Sequence, residues 1–257
     1  MPARLTVVGT GIQSGRDLSR VAIDSIQTAG KVFVAVTDPV TERWVQELND
    51  DVESLAKFYS PRKRRVQAYD EMTDRIMSFV ERGVDVCVVC YGHPGVCVYP
   101  TRKAIQRARA LGVRTTMLPA VSFIDCLIAD LDVDPAIDGL ALYDATSFLM
   151  EKRSVDACSG LVLMQIAVTA EAGYPDNGAH GGRGLRALIA KLARTYGKRH
   201  EVVIYEASVH PLTRAVIRRL ALEDVASARL PLAATLYVPP RGKPKADKEM
   251  LRRFPVE

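Results

Sequence analysis

One tryptophan, four histidines and five cysteines in 257 residues exclude several kinds of chemistry at the outset. The cysteines stand at 87, 90, 97, 126 and 158, an odd and scattered set that builds no disulfide framework. Cys87 and Cys90 form a CxxC, but they lie in an apolar run that reads as a strand. Residues three apart on a strand point to opposite faces, and no second CxxC follows, so no metal is expected. No apolar run approaches the ~20 residues that cross a bilayer. The first nine residues enter a strand-like run at once, without a signal peptide's longer apolar core and cleavage site. A cytoplasmic protein without a membrane anchor is expected. There is no basic stripe interleaved with aromatics, which weighs against nucleic acid. Internal repeats are also missing.

What remains is ordinary globular composition, 48% hydrophobic and 25% charged, with a mildly basic net charge of +5. The periodicity alternates between strand and helix. Residues 4–8 read as a strand, followed by a glycine loop and a helix from about 17 to 28. A run at 32–36, a short helix at 41–48 and a stretch at 52–59 come next. The basic cluster Arg62-Lys63-Arg64-Arg65 follows, and Arg65 to Arg82 reads as a long helix. A strand at 84–90, a turn, a helix at 101–111, a strand at 113–118 and a helix at 122–130 complete an α/β half. Residues 131–135, rich in aspartate and closed by proline, read as a linker. In the second half, strands are expected at 161–168, 201–206 and 232–238, with a helix at 185–196. An exposed glycine-rich loop at 173–184 and a break at His210-Pro211 separate them. This gives two α/β domains, 1–130 and 131–240, with a ligand cleft between them and a basic tail at 241–257.

Two glycine-bearing turns follow strands. Gly9, Gly11 and Gly15 are spaced GxGxxxG rather than GxGxxG, and Asp38 beside Pro39 is poorly placed for a ribose, so a dinucleotide site is a weak reading. An adenosine-type ligand remains open. Tyr91-Gly92-His93-Pro94-Gly95-Val96 closes the 84–90 strand and leads into a helix, the position where open α/β sheets bind ligands.

These pieces occur in a telling order: VGTGI, YGHPG, the 119–135 stretch LPAVSFIDCLIADLDVDP, LMQIA at 163–167, VVIYEA at 202–207 and LAATLYVPP at 232–240. In that order they resemble the tetrapyrrole methylase-like superfamily, and within it the borosin-type peptide α-N-methyltransferases. The resemblance covers roughly residues 4–240. It implies S-adenosylmethionine, with S-adenosylhomocysteine as product, folded between the two domains. It places Gly9, Gly11, Ile12, Tyr91, His93, Val96, Cys97, Ser122, Phe123, Gln165, Tyr205, Ala207, Ala234 and Thr235 around the cofactor. An aromatic residue is usual in the family where Cys97 stands.

The same resemblance implies the catalytic set Tyr59, Arg65, Tyr69 and Tyr91. Arg65 and Tyr69 share a helix face one turn apart. A guanidinium beside a phenol favours the phenolate, which could take an amide proton. Tyr59 and Tyr91 are assigned to stabilising the carbonyl oxygen and positioning substrate. Asp70, Glu71 and Asp74 could instead satisfy the arginines locally. Fungal relatives carry their substrate beyond a clasping region of the same chain. Here the sequence ends seventeen residues after Pro240. The expectation is therefore a homodimer acting on a separate precursor, two per dimer, with the basic cluster and tail as docking surfaces. The competing readings are methylation of a tetrapyrrole or of ribosomal RNA, and a non-catalytic cofactor-binding protein.

Overall fold

The computed structural model describes residues 3–13, 15–36, 38–60, 63–173 and 182–255. The chain groups into two compact units. In its described residues the first comprises Met1–Val133, Glu171–Gly178 and Glu206–Val216, and the second Asp134–Ala170, Ala179–Tyr205 and Ile217–Glu257.

The first unit alternates β1 (Arg4–Gly9), α1 (Arg20–Gln27), β2 (Lys31–Ala35), α2 (Pro39–Leu48), β3 (Val52–Ser54), α3 (Arg65–Val80), β4 (Val86–Cys90), α4 (Tyr99–Ala110), β5 (Arg114–Met117) and α5 (Phe123–Leu131). Its sheet runs β3-β2-β4-β1-β5 with every pairing parallel. A parallel sheet is covered on both faces, so its central strands read as unbroken apolar runs. One face packs Ala22 and Ile26 of α1 and Val45 of α2 against Val8, Val32, Val34 and Val89. On the other, Met72, Ile76 and Met77 of α3 and Ala104 and Ile105 of α4 meet Leu5, Val7, Phe33 and Val88. Cys87 belongs to the first cluster and Cys90 to the second. The pair therefore points to opposite faces of the sheet, as strand geometry requires. Each large core side chain contributes about 1.5–3 kcal/mol by burial.

β1 and β4 are neighbours, yet the helices that follow them, α1 and α4, cover opposite faces. That reversal opens a crevice beyond the carboxyl ends of β1 and β4. Both glycine-bearing turns lie there.

The second unit contains α6 (Pro135–Asp138), β6 (Leu140–Asp144), α7 (Ala145–Met150), β7 (Gly160–Met164), α8 (Arg183–Tyr196), β8 (Glu201–Glu206), β9 (Val216–Ala221), β10 (Thr235–Val238) and α9 (Lys248–Arg253). Its sheet is mixed, in the order β6-β7-β10-β8-β9, with β10 antiparallel to β7 and β8. Leu185, Leu188 and Leu192 of α8 pack on Leu161, Leu163, Val202, Ile204 and Leu236.

Several boundaries differ from expectation. α1 begins at Arg20, because Ser19 accepts from Ala22 N while Asp17 is engaged in the preceding loop. The strand expected over 161–168 stops at Met164, where Gln165 turns left-handed and a 3-10 turn follows at Ile166–Val168. The last strand starts only at Thr235. β6, α7, β9 and α9 were not anticipated. Most of the expected 173–184 loop, together with Arg62, lies outside the described residues. Among those described, no helix is long and apolar enough to cross a membrane.

Candidate active site

The turns after β1 and β4 are laced together by backbone. Thr10 N donates to Cys90 O at 2.8 Å, and Gly92 N to Gly11 O at 3.0 Å. A Cβ on Gly9 would come within 2.0 Å of Gly92 O, so only glycine permits this approach. Gly92 itself has φ +66°, and its missing Cβ faces only Ile12 and Val121 at 3.4 Å or beyond. Ile12 N and Gln13 N both donate to Asp17 Oδ2, at 3.1 and 2.9 Å. These are the amides that would otherwise cradle a phosphate. With a carboxylate already seated on them, this loop rejects an anion. A dinucleotide is thereby excluded on electrostatic grounds as well as by glycine spacing.

Tyr91 is half-buried at the end of β4, its N donating to Ala35 O at 3.2 Å. Burial pushes its phenol up to about 12, and the nearby Cys126, Glu206 and Asp38 reinforce the shift. At neutral pH Tyr91 is a hydrogen-bond donor. Cys126 is pushed up to about 11 by burial, with Asp17, Asp130 and Asp125 adding to it. Burial also raises the Glu206 carboxyl, which has no hydrogen-bond or ion-pair partner among the described residues.

His93 Nδ1 accepts from Gly95 N at 3.0 Å, so a neutral ring carries its proton on Nε2. Val96 is half-buried beside it. Cys97 is exposed, with φ +56°, a backbone conformation that costs a non-glycine residue energy. Ser122 caps α5: its hydroxyl donates to Asp125 Oδ2 at 2.7 Å and accepts from Ile124 N at 3.2 Å. A capping role thus already engages Ser122, while the half-buried Phe123 begins the helix.

At the start of α3 the expected tyrosines do meet. The Tyr59 and Tyr69 rings stand edge to face, 6.3 Å apart. Tyr99, which the sequence did not single out, packs on Tyr69 from its other neighbour α4, at 5.9 Å. Arg65 is fixed by two bonds to the segment after residue 170: its N donates to Ala172 O and its Nη2 to Glu171 O, both at 3.0 Å. The acids expected to compete for the arginines have other cations. Asp70 pairs with Lys103 at 2.6 Å, Glu71 with Lys63 at 2.7 Å, and Asp74 with Arg107.

In the second unit the expected residues cluster at one end of the mixed sheet. Gln165 follows β7 with φ +59°, Ile166 N donates to Ala234 O at 3.2 Å, and Thr235 pairs with Tyr205 across β10 and β8. Tyr205, Ala234 and Thr235 are buried; Ala207, which belongs to the first unit, is buried as well. Tyr205 is fully enclosed, which also suits an interior aromatic.

Residues 4–221 match the family of Tetrapyrrole (Corrin/Porphyrin) Methylases. The chain is 35% identical over 254 residues to the methyltransferase/ribosomally synthesized cyclic peptide omphalotin A precursor of Omphalotus olearius, covering 97% of this chain and 61% of that protein. It is also 35% identical to a methyltransferase/ribosomally synthesized type I borosin cyclic peptide precursor of Coprinopsis marcescibilis, covering 98% of this chain and 65% of that one. The chain thus spans less than two thirds of these relatives. Among solved structures, a uroporphyrin-III-C-methyltransferase from Thermus thermophilus shares the fold, with TM-score 0.64 at 17% identity over 94% of each chain. With the family match running from β1 to the end of β9, the chain belongs to the tetrapyrrole (corrin/porphyrin) methylases.

Proposed function

We propose that the protein is an S-adenosylmethionine-dependent methyltransferase that repeatedly N-methylates backbone amides of a ribosomally made precursor peptide on a separate chain. The similarity to borosin precursors supports the peptide substrate. The crevice beyond β1 and β4 suits the cofactor by charge. Its loop amides are closed to anions by Asp17, and Glu206 and Asp38 stand near Tyr91. A sulfonium cation fits such a site, whereas a phosphate does not. Gly9, Gly11, Ile12, Gly92 and His93 would form the wall. When bound, the cofactor supplies an electrophilic methyl group.

The residues of the chain supply the rest. An amide nitrogen is a poor nucleophile because its lone pair is delocalised into the carbonyl. Removal of the amide proton is assigned to Tyr69 Oη, with the Arg65 guanidinium, held by Glu171 O, as the positive charge on the same helix face. Tyr91 keeps its own proton and donates it in a hydrogen bond to the amide oxygen as charge develops there. Tyr59 sets the ring plane of Tyr69 and guides the substrate. The Tyr59–Tyr69 pair one turn from Arg65 carries this reading. We further propose a cytoplasmic homodimer that engages two precursors.

Co-expression with a candidate precursor, followed by fragmentation mass spectrometry, tests the assignment. Successive methyl groups on backbone nitrogens are expected. Bound S-adenosylmethionine with an unmodified peptide, or methylation of a tetrapyrrole instead, would overturn it.

A further inference from the structure

α3 and α8 are both amphipathic, but their solvent sides differ in sign. α3 mixes Arg65 and Arg75 with Asp70, Glu71 and Asp74. α8 carries Arg183, Arg186, Lys191 and Arg194 and no carboxylate at all. Beside it, the segment after α7 forms a groove of about 690 Å³. Four cations line that groove, Lys152, Arg153, Lys191 and Arg194, against one acid, Glu151.

Two of the four are internally engaged. Arg153 pairs with Glu151 and stacks on Tyr143 at 4.6 Å. Lys191 donates to Phe148 O, Leu149 O and Glu151 O, and lies over the Phe148 ring at 4.8 Å. This lysine neutralises the carboxyl end of α7 and ties that wall to α8. The wall is therefore built rather than loose. Lys152 and Arg194 have no hydrogen-bond or ion-pair partner among the described residues. Between the walls lie exposed Ala187 and Ala190, small enough to admit close approach, and Met150 is 68% exposed at the rim.

We infer that this groove docks an acidic, partly apolar peptide segment of another protein. Carboxylates would pair with Lys152 and Arg194, and apolar side chains would lie on Ala187, Ala190 and Met150. The lining contains no aromatic ring on which a base could stack, which favours peptide over nucleic acid. The proposal stands apart from the methyl-transfer reading, since it concerns binding to the second unit alone.

The test uses the full chain and a fluorescein-labelled synthetic peptide of Glu, Leu and Ala, followed by fluorescence anisotropy. The controls are the Glu→Gln peptide and a single-stranded RNA. Binding of the acidic peptide is expected at low salt, weakening as salt rises, and at least about tenfold tighter than for the Gln peptide. The double substitution Lys152→Glu with Arg194→Glu should weaken it at least about tenfold, and the same variant should bind a Lys-for-Glu peptide instead. Both positions are solvent-facing, and circular dichroism checks that the variant is folded. Absence of peptide binding at low salt, equal binding by the variant, or RNA displacing the peptide from the wild type would each overturn the proposal. Mass spectrometry on a precursor reads methylation separately, so failure of one reading leaves the other standing.

Discussion

The two ends of the parallel sheet are built on opposite principles. At its amino end Arg4, Lys31, Glu53 and Asp85 are all answered by opposite charges. Lys31 pairs with Asp51 at 2.5 Å, and Glu53 receives Lys57 and Arg75, each at 2.7 Å. Arg4 pairs with Asp85 across β1 and β4 at 2.7 Å. Lys31 also lies 5.3 Å over the Phe79 ring. The hydrogen bond from Arg75 holds the Glu53 carboxyl down to about 2. At the carboxyl end, burial instead raises Tyr91 and Glu206, and among the described residues no cation pairs with them. A closed charge network stabilises the fold. An end with raised acids stores a demand that a cationic ligand can meet.

The largest effect should fall on the open end. Tyr69→Phe removes the proposed proton acceptor and keeps the ring contacts to Tyr59 and Tyr99. Single-turnover methylation should fall by about 10²–10⁴ while cofactor affinity, read by calorimetry, is unchanged. Full turnover would break the assignment of Tyr69. At the closed end, Glu53→Gln should leave turnover per folded molecule unchanged but cost about 1–2 kcal/mol of stability in denaturant titration, because Lys57 and Arg75 are solvent-screened. The sign is fixed by linkage. A depressed carboxyl stabilises the native state above its ordinary value of 4.5, and this contribution is lost as pH falls toward about 2. The wild type should therefore lose stability over that interval, and the variant should lose much less.

The difference between the ends also explains what the sequence could disclose. Local spacing carries the strands β1, β2 and β4 as unbroken apolar runs, and it carries Arg65 and Tyr69 as one helix face. Tyr59 and Tyr69 were paired only through the family resemblance, and the structure does bring their rings together. Tyr99 reaches Tyr69 through the packing of α3 on α4, an arrangement no spacing encodes. Asp17 reads as a helix start because aspartate favours that position, yet its carboxylate bonds backward to Ile12 and Gln13. Gln165 ends β7 with a left-handed turn inside an apolar run, where nothing in the composition marks a stop. β9 was missed because its residues are mostly exposed and show no alternation.

Asp17 sharpens the comparison at smaller scale. Asp17→Ala frees two amide donors at Ile12 and Gln13, at a cost of about 1–3 kcal/mol. It should also reverse the selectivity of the crevice. The variant, unlike the wild type, should be stabilised in thermal melts by inorganic phosphate. Equal phosphate response in both proteins would show that the carboxylate does not set the sign of the site.

The smallest and most diagnostic change is Glu206→Gln. A half-buried carboxylate without a counter-ion is a liability in the free protein. Its raised pKa means that the native state loses stability as pH climbs from the ordinary glutamate range through the raised value. Replacing it should therefore make the ligand-free protein slightly more stable at neutral pH. The same replacement should weaken S-adenosylmethionine binding by about tenfold, about 1.4 kcal/mol, because an attraction to a cation is lost. In the wild type, affinity should rise with pH as Glu206 ionises, and in the variant this rise should disappear. A structural carboxylate would show the opposite pairing, with stability lost and affinity unchanged. Higher stability with lower affinity in one variant is the signature of a charge kept for a ligand rather than for the fold.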